Sequence, residues 1–352
     1  MDFSSMTITS VAAASIATVV FAVFIMGLFG GNKMPVEAKT ILLTGASEGM
    51  GLSAATKLSA KGANIILVSR SVGKLEAALA TVKAVAKNPE TQRFHYISAD
   101  VSAPSYAGAL LAEAISWNHG KSPDIVWSVA GMSYPELFID MEMESLRRHM
   151  DVNFYGAAEL SHAILREWLA PNAPIEKEPK HLILTSSVVA FYSPPGYGPY
   201  APAKYAMRGM AETIAQEVLM YPQNVKVHVV FPGTIVSSSF IRENEIKPEI
   251  TKIIEKDDPQ QTPDQVAEKA IKGLEKGEYF ITVAFLSHLM KWGSFGGAWK
   301  NNFIVDFLGM LFTQFVWIFV RIDIDSKIKN YGKTHGHPST YKRKTPKEVE
   351  HL

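Results

Sequence analysis

The chain has 352 residues, a formal net charge of +1 and no cysteine. The near-neutral charge and the lack of a basic patch interleaved with aromatics argue against a nucleic-acid partner. The missing cysteines exclude disulfides, thiol catalysis and thiolate metal sites, and we expect no metal site. The length is sufficient for one large α/β domain with appendages.

The N-terminal stretch is strongly apolar, with no charged residue from Phe3 to Asn32. Such a run is long enough to cross a bilayer. A cleaved signal peptide is the alternative, but the basic region that normally opens one is missing. We therefore predict a retained transmembrane anchor over residues 1–33. Lys33 and Lys39 follow the apolar run, so the positive-inside rule places the rest of the chain in the cytosol.

Strand and helix patterns alternate over residues 38–275. Short apolar runs predict strands over 39–44, 64–68, 94–98, 125–129, 181–185 and 225–231. Helical patterns lie between them, over 52–61, 74–87, 105–118, 143–168 and 200–221. Strands without polar alternation are typical of a parallel sheet covered on both faces. The predicted fold class is α/β, a Rossmann-type doubly wound parallel sheet in a single catalytic domain at 38–275.

A glycine-rich turn follows the first predicted strand, with Gly45, Ser47, Glu48, Gly49 and Gly51 in sequence. Glycines there allow backbone N–H groups at a helix N-terminus to approach a pyrophosphate. Gly-x-Ser-x-Gly is also the nucleophile elbow of hydrolases. A hydrolase places that motif after an internal strand and requires a late histidine, whereas the available His228 falls within a strand. We therefore interpret the turn as a dinucleotide-binding site.

The ends of the next two predicted strands carry charged residues. Arg70 follows the second strand and offers a guanidinium to a 2′-phosphate, where an acid would bind the ribose of NAD. Lys74 adds a second positive charge; the alternative is that both are ordinary surface cations. Asp100 follows the third strand, where an acid contacts the adenine or caps a helix. The pattern favours NADPH as the cofactor.

Tyr200 and Lys204 are four residues apart, which places them on one face of a helix. A neighbouring ammonium favours the phenolate and lowers the pKa of the phenol. Ser187, thirteen residues before Tyr200, supplies a hydroxyl for a carbonyl oxygen. Pro202 lies between the pair, so we expect it in the first turn of the helix. Because a cofactor site precedes the pair, we predict that it serves carbonyl reduction.

A second apolar region covers residues 279–322. Residues 280–290 are too few to span a bilayer, and 303–320 is nearly long enough but is interrupted by Asp306 and Gln314. A membrane hairpin, interfacial helices, and a buried core helix or dimer contact all remain possible. A single crossing would place the basic stretch 341–344 opposite the cytosolic body. We predict membrane association without a simple single span, followed by a polar basic tail at 323–352.

With these motifs the chain resembles the short-chain dehydrogenase/reductase family across roughly residues 38 to 240. The matching residues are Thr44-Gly45-x-x-x-Gly49-x-Gly51, Asp100-Val101, Asn153, Ser187, Tyr200-x-x-x-Lys204 and Pro232-Gly233. One departure is Ser128-Val-Ala-Gly131, where many members have Asn-Asn-Ala-Gly; this removes amide contacts at the adenine ribose but not the proton relay.

The resemblance implies a role for each matching residue. Tyr200 is the general acid, and Ser187 orients the carbonyl. Lys204 lowers the pKa of Tyr200 and holds the nicotinamide ribose, while Asn153 supports a water that links Lys204 to solvent. Asp100 and Val101 lie at the adenine, and Thr234 and Ile235 lie along the nicotinamide.

Within the family, the chain resembles a group of membrane enzymes that reduce 3-ketosphinganine to sphinganine with NADPH. The likeness rests on Gly45-x-Ser47-x-Gly49, on Arg70 with Lys74, and on Ala130-Gly131-Met-Ser133. It implies a lipid-like ketone substrate, contact with membrane lipids, and an endoplasmic reticulum location with the catalytic domain facing the cytosol. A homo-oligomer is implied by analogy with the family.

Alternatives remain for the substrate and for the wall of the pocket. A membrane-bound reductase of a steroid, a retinoid or a 3-ketoacyl-CoA has the same motifs. A catalytically dead nucleotide-binding scaffold is the alternative of another class, although it needs no complete Asn/Ser/Tyr/Lys set. Four further residues are candidates for the pocket wall or for plain packing: Tyr134, His149, Tyr192 and Tyr197.

Overall fold

The computed structural model describes residues 31–294 and 300–335. The predicted N-terminal anchor at 1–33 lies almost wholly outside the described residues. Of the predicted polar tail at 323–352, residues 323–335 are helical, and the rest lies outside the described residues.

A seven-stranded parallel sheet forms the centre of the molecule. Its strands are β1 (Thr40–Thr44), β2 (Asn64–Ser69), β3 (Phe94–Ser98), β4 (Ile125–Ser128), β5 (Lys180–Thr185), β6 (Val225–Phe231) and β7 (Phe280–Thr282). They pair in the order β3-β2-β1-β4-β5-β6-β7. The chain therefore crosses from one side of β1 to the other between β3 and β4, and such a switch point opens a crevice at the carboxyl ends of the strands. The predicted doubly wound parallel sheet is confirmed.

Helices cover both faces of the sheet. They are α1 (Gly49–Ser59), α2 (Val72–Ala84), α3 (Tyr106–Trp117), α4 (Met143–Met150), α5 (Gly156–Trp168), α6 (Ala201–Glu217), α7 (Ser238–Ile246), α8 (Glu249–Glu255), α9 (Pro263–Glu275), α10 (Phe285–Gly293) and α11 (Phe303–His335). Leu42 of β1 is buried in one core with side chains of α3, α5 and α6. Its neighbours Ile41 and Leu43 are buried in the other core, with side chains of α1, α2 and α9. This double burial explains why the strands lack polar alternation.

The single helix predicted over 143–168 contains a π-helical turn, Asp151–Tyr155, between α4 and α5. Single π-turns within α-helices are frequent at functional sites because they shift the side chains that follow. The turn contains Asn153, which is fully buried.

The first part of the C-terminal apolar region belongs to the sheet, which corrects its assignment to the membrane. Phe280–Thr282 is the edge strand β7, buried and paired in parallel with β6 through Val229 and Phe280. A short apolar run is compatible with either location, so its sequence pattern does not decide between them. What decides it is pairing with a strand about fifty residues earlier in the chain.

Helix α11 packs against the body along one side. Asn301, just before it, binds the backbone of Tyr279 and Phe280 through both amide atoms, at 3.0 and 2.9 Å. Asp306 is buried and accepts a hydrogen bond from Trp292 Nε1 at 2.8 Å. The carboxylate that interrupts the apolar run is therefore a contact with the body.

The opposite side of α11 is apolar and exposed, as at Phe307, Phe315 and Phe319. Among the described residues, Phe303–Ile324 is the one helical stretch long and apolar enough to cross a membrane, and only 11% of its 18-residue apolar window is buried. An apolar surface of this length is a feature of helices that contact lipid or another protein.

Candidate active site

A cavity of about 580 Å³ lies at the carboxyl ends of the strands. Its wall runs from the turn between β1 and α1 to residues of α7 and α8. Of the predicted catalytic and cofactor residues, all except Lys74 and Asn153 line it. The structure thus brings together motifs that are up to 190 residues apart in the sequence, from Gly45 to Ile235.

The turn between β1 and α1 requires its glycines. Gly45 has a φ of +64°, and a Cβ at this position would lie 2.7 Å from the backbone of Ala130. A Cβ on Gly51 would lie 2.2 Å from the Gly45 carbonyl oxygen. The ends of β1 and β4 can therefore approach closely, and the N-terminus of α1 opens onto the cavity. This is the cradle that a dinucleotide pyrophosphate needs, so these residues fit NADPH.

The charged residues beyond the turn form ion pairs with one another. Lys74 Nζ lies 3.0 Å from Glu48 Oε2, and Arg70 Nη1 lies 3.9 Å from Asp100 Oδ2. Arg70 is largely exposed and lines the cavity, whereas Lys74 does not line it. Of the two predicted cations, Arg70 is therefore the one placed for a 2′-phosphate.

Asp100 forms a local turn with Ser102. Its Oδ1 accepts hydrogen bonds from the Ser102 backbone N at 3.0 Å and from Ser102 Oγ at 2.7 Å. Partial burial acts to raise the pKa of Asp100, but the Ser102 hydrogen bonds and the Arg70 charge outweigh it and lower the pKa overall. Asp100 therefore stays ionised, and its predicted contact with the adenine uses the carboxylate.

Three of the four residues of the predicted proton-transfer group meet near the ends of β5 and β6. Tyr200 immediately precedes α6, and Pro202 lies in the first turn as expected. Lys204 Nζ lies 5.4 Å from the centroid of the Tyr200 ring and donates to the Thr185 carbonyl oxygen at 3.0 Å. Ser187 follows β5 and lines the same cavity as the Tyr200 phenol, and its Oγ donates to the Pro232 carbonyl oxygen at 3.4 Å. The phenol and the serine hydroxyl can thus hold one carbonyl oxygen.

Burial governs the protonation of this group. It raises the pKa of Tyr200 well above its ordinary value, against the opposing effect of the Ser187 hydrogen bond. It also lowers the pKa of Lys204 to about 7. In the chain alone desolvation governs the pKa of Tyr200, and the role of Lys204, whose Nζ lies 5.4 Å from the ring, stays a prediction. A phenol with a raised pKa keeps its proton, as a general acid must.

Asn153 anchors the segment after β4. Its Oδ1 accepts from the Met132 backbone N at 2.9 Å, and its Nδ2 donates to the Met132 carbonyl oxygen at 3.0 Å. A Cβ on Gly131 would lie 2.8 Å from Asn153 Oδ1 and 3.5 Å from Lys204 Nζ. Asn153 is therefore close to Lys204 behind the cavity wall, and its relay role stays a prediction.

Two of the four additional candidates line the cavity, and the other two lie outside its wall. Tyr134 and Tyr197 line the cavity. His149 is buried behind it, accepting from the Tyr134 backbone N at 3.0 Å and bonding the Ser145 carbonyl oxygen at 2.7 Å. Burial lowers the pKa of His149 to about 4, so the ring is neutral and positions Tyr134. Tyr192 packs against the ring of Trp317 in α11, with centroids 5.2 Å apart.

Sequence analysis missed the residues at the far end of the cavity. They belong to α7, to α8 and to the segment after it: Phe240, Glu243, Glu255 and Asp258. They have no motif or fixed spacing. The available signal was their place in the chain, because helices that follow the last nicotinamide-contacting segment tend to cover the crevice of such a sheet.

A family model described as short chain dehydrogenase matches residues 39–247. The 3-ketodihydrosphingosine reductase of Neurospora crassa is 56% identical over 95% of this chain and 93% of its own length. The 3-ketodihydrosphingosine reductase of Aspergillus fumigatus is 40% identical over 92% of each chain. The similarity therefore extends beyond the matched domain into the terminal regions.

Solved structures with the same fold include a short-chain dehydrogenase from Sphingobium yanoikuyae in complex with NADPH. It has a TM-score of 0.60 and 20% identity, and the match covers 74% of this chain and 93% of that chain. A short chain dehydrogenase/reductase from Burkholderia phymatum in complex with NAD has a TM-score of 0.61 and 19% identity, over 71% of this chain and 90% of that chain. The family match, the curated relatives and the sheet topology agree: this chain belongs to the short-chain dehydrogenase family.

Proposed function

We propose that this protein is an oxidoreductase that reduces 3-ketosphinganine to sphinganine with NADPH, a step of sphingolipid synthesis. The observation that carries the proposal is that Tyr200, Ser187 and Lys204 share one cavity with the glycine turn. The substrate follows from the 56% identity, over nearly the full length, to a reductase named for that ketone.

The chemistry adds one hydride and one proton to a carbonyl group. NADPH, when bound, supplies the hydride to the carbonyl carbon. Ser187 and Tyr200 hold the carbonyl oxygen by hydrogen bonds, and Tyr200 transfers its proton to that oxygen to give the secondary alcohol. Lys204, with a pKa of about 7, can exchange protons near neutral pH and restores the phenol. Asn153, fixed behind Lys204, supports the route to solvent.

The preference for NADPH rests on Arg70. Its guanidinium is exposed on the cavity wall at the end of β2, where the 2′-position of the adenine ribose lies in this fold. Lys74 is paired with Glu48 and does not line the cavity, so Arg70 is the cation of this pair that faces the ligand.

Membrane attachment suits the substrate. Each buried CH₂ of an alkyl chain contributes about 0.8 kcal/mol to partition into a bilayer, so a long-chain ketone resides there. The apolar run before residue 33 and the exposed side of α11 are two surfaces for the same membrane. Helix α11 contacts α8, which lines the cavity. The location that we propose is the endoplasmic reticulum membrane, with the catalytic domain in the cytosol; homo-oligomerisation stays a prediction.

The test is an assay of NADPH oxidation by the full chain in vesicles that contain 3-ketosphinganine. Parallel vesicles or solutions contain a steroid ketone, retinal or a 3-ketoacyl-CoA. We expect turnover with 3-ketosphinganine to exceed that with each rival. Turnover with only a rival ketone would replace the substrate, and no turnover with any would favour the nucleotide-binding scaffold.

A further inference from the structure

The far end of the cavity carries more acidic than basic side chains. Glu243 of α7, Glu255 of α8 and Asp258 all line the cavity. Lys247 is buried among them, with its Nζ 3.0 Å from Glu243 Oε1 and 2.7 Å from Glu255 Oε2. Three carboxylates thus share one ammonium. Burial, and then the charge of Glu255, raise the pKa of Asp258 to about 6, in keeping with negative charge that Lys247 does not fully compensate.

Glu243, Glu255 and Asp258 form an acidic wall, which lies close to the proton donor Tyr200. Tyr197 OH donates to Glu243 Oε1 at 3.0 Å, and the rings of Tyr197 and Tyr200 are 5.8 Å apart. Glu243 is therefore separated from Tyr200 by a single aromatic side chain. The bonds from Tyr197 and Lys247 both end on Oε1, so within the described part of the chain Oε2 is the carboxylate atom left for a ligand.

A second feature of the cavity also indicates a polar ligand. Ser133 lines it, and the Ser133 hydroxyl is buried without a hydrogen-bond partner among residues 31–294 and 300–335. A buried hydroxyl without a partner costs free energy that a bound polar group recovers. Within the same described residues, no group of three His, Cys, Asp or Glu side chains could hold a metal ion.

We propose that Glu243, supported by Glu255 and Asp258, binds the ammonium group of the substrate and selects 2-amino-3-ketones over plain long-chain ketones. The inference rests on the proposed function, since 3-ketosphinganine carries its amine on the carbon next to the carbonyl. With the carbonyl oxygen on Ser187 and Tyr200, the ammonium nitrogen lies two bonds from the reacting carbon. A carboxylate next to Tyr197 is in reach of that position, and charge-assisted hydrogen bonds to it are among the stronger ones in proteins.

The same carboxylates disfavour other substrates. An anionic 3-ketoacyl-CoA brings like charge to the acidic wall, which costs affinity. A steroid ketone brings no cation, so it desolvates the three carboxylates without adding positive charge to that of Lys247. The acidic wall therefore distinguishes 3-ketosphinganine from the ketones that the catalytic residues alone would accept.

The test compares two ketones of equal chain length, 3-ketosphinganine and the 1-hydroxy-3-ketone that lacks the amine. Wild type should prefer the amino ketone in kcat/KM. Glu243→Gln keeps the shape of the side chain and should lower kcat/KM for the amino ketone roughly tenfold to a hundredfold, mainly through KM. For the ketone without the amine, kcat/KM should stay within about threefold. Glu245→Gln, on the exposed side of α7, is the matched control and should change neither value.

Each other outcome overturns a specific statement. Equal losses on both ketones would make Glu243 a purely structural residue, and an unchanged preference would remove it from recognition. If Glu243→Gln does not fold, Asp258→Asn tests the same wall and leaves the hydrogen bonds of Glu243 with Tyr197 and Lys247 in place. If Asp258→Asn keeps the wild-type preference for the amino ketone, the inference is overturned. Wild-type turnover of 3-ketosphinganine with no preference for the amine would defeat the inference alone, whereas no turnover of it would defeat the proposed function.

Discussion

The two ends of the cavity are built from different parts of the polypeptide. At the cofactor end, the wall includes the glycine turn between β1 and α1, where close backbone approach leaves no room for a Cβ at Gly45 or Gly51. At the substrate end, the wall is made of side chains from the segment after β4, from α7 and from α8. A backbone wall serves a ligand part common to many enzymes, whereas a side-chain wall can change with the substrate while the sheet remains the same.

The largest effect is expected where the two ends meet, at Tyr200. Tyr200→Phe removes the proton donor but leaves the ring, so kcat should fall by about a thousandfold, within the usual range for a general acid. Steady-state NADPH oxidation measures kcat, and nucleotide fluorescence measures NADPH binding, which should stay close to the wild-type value.

The matched control is Tyr205→Phe, on the exposed side of the same helix, which should leave kcat unchanged. Substantial turnover by Tyr200→Phe would mean that another group donates the proton. A parallel loss of NADPH binding would mean that Tyr200 mainly holds the cofactor, and it would then not be the residue at which the cofactor end and the substrate end meet.

The next effect tests whether the cofactor end depends on its backbone. Gly45→Ala places a Cβ 2.7 Å from the Ala130 backbone at a φ of +64°. We expect a loss of unfolding free energy of at least about 2 kcal/mol, because both the left-handed backbone and the overlap are unfavourable. Thermal unfolding with and without NADPH measures the loss, and NADPH should stabilise the variant less than wild type.

Gly108→Ala in α3 is the control, because an added Cβ there meets nothing within 4 Å. It should be neutral or slightly stabilising. Gly45→Ala with wild-type stability would indicate that the turn can move away from β4, so the backbone wall would be less rigid than the structure suggests.

The same contrast explains what the sequence could predict. Gly45, Tyr200 and Lys204 have spacings dictated by a turn or a helix, and these spacings are visible in a single chain. Glu243 and Asp258 reach the cavity through the path of α7 and α8, which no local spacing encodes. The protonation of Tyr200 also depends on burial, which is set by the packed molecule and not by a neighbouring residue in the sequence.

Strand β7 was missed for a related physical reason. Its three buried residues acquire their role only by pairing with β6, and the apolar sequence around them is equally compatible with lipid. Helix α11 shows the converse, because Asp306 looked like an interruption of a membrane segment and is in fact bonded to Trp292. In both cases a contact distant in sequence decides between a core and a membrane environment.

The smallest effect concerns a side chain at the cofactor end, Arg70, which tests whether that end has any specificity of its own. Arg70→Asp replaces the guanidinium with a group that repels a 2′-phosphate and accepts hydrogen bonds from a ribose hydroxyl. We expect the ratio of kcat/KM for NADPH to that for NADH to fall by roughly tenfold to a hundredfold.

Arg147→Asp, at an exposed arginine of α4, is the control for the change of net charge and should leave the ratio unchanged. Lys74→Ala should change it less than Arg70→Asp, because Lys74 is already paired with Glu48. A ratio that Arg70→Asp does not alter would mean that backbone contacts alone set nucleotide choice, and the cofactor end would then have no counterpart to the acidic wall at the substrate end.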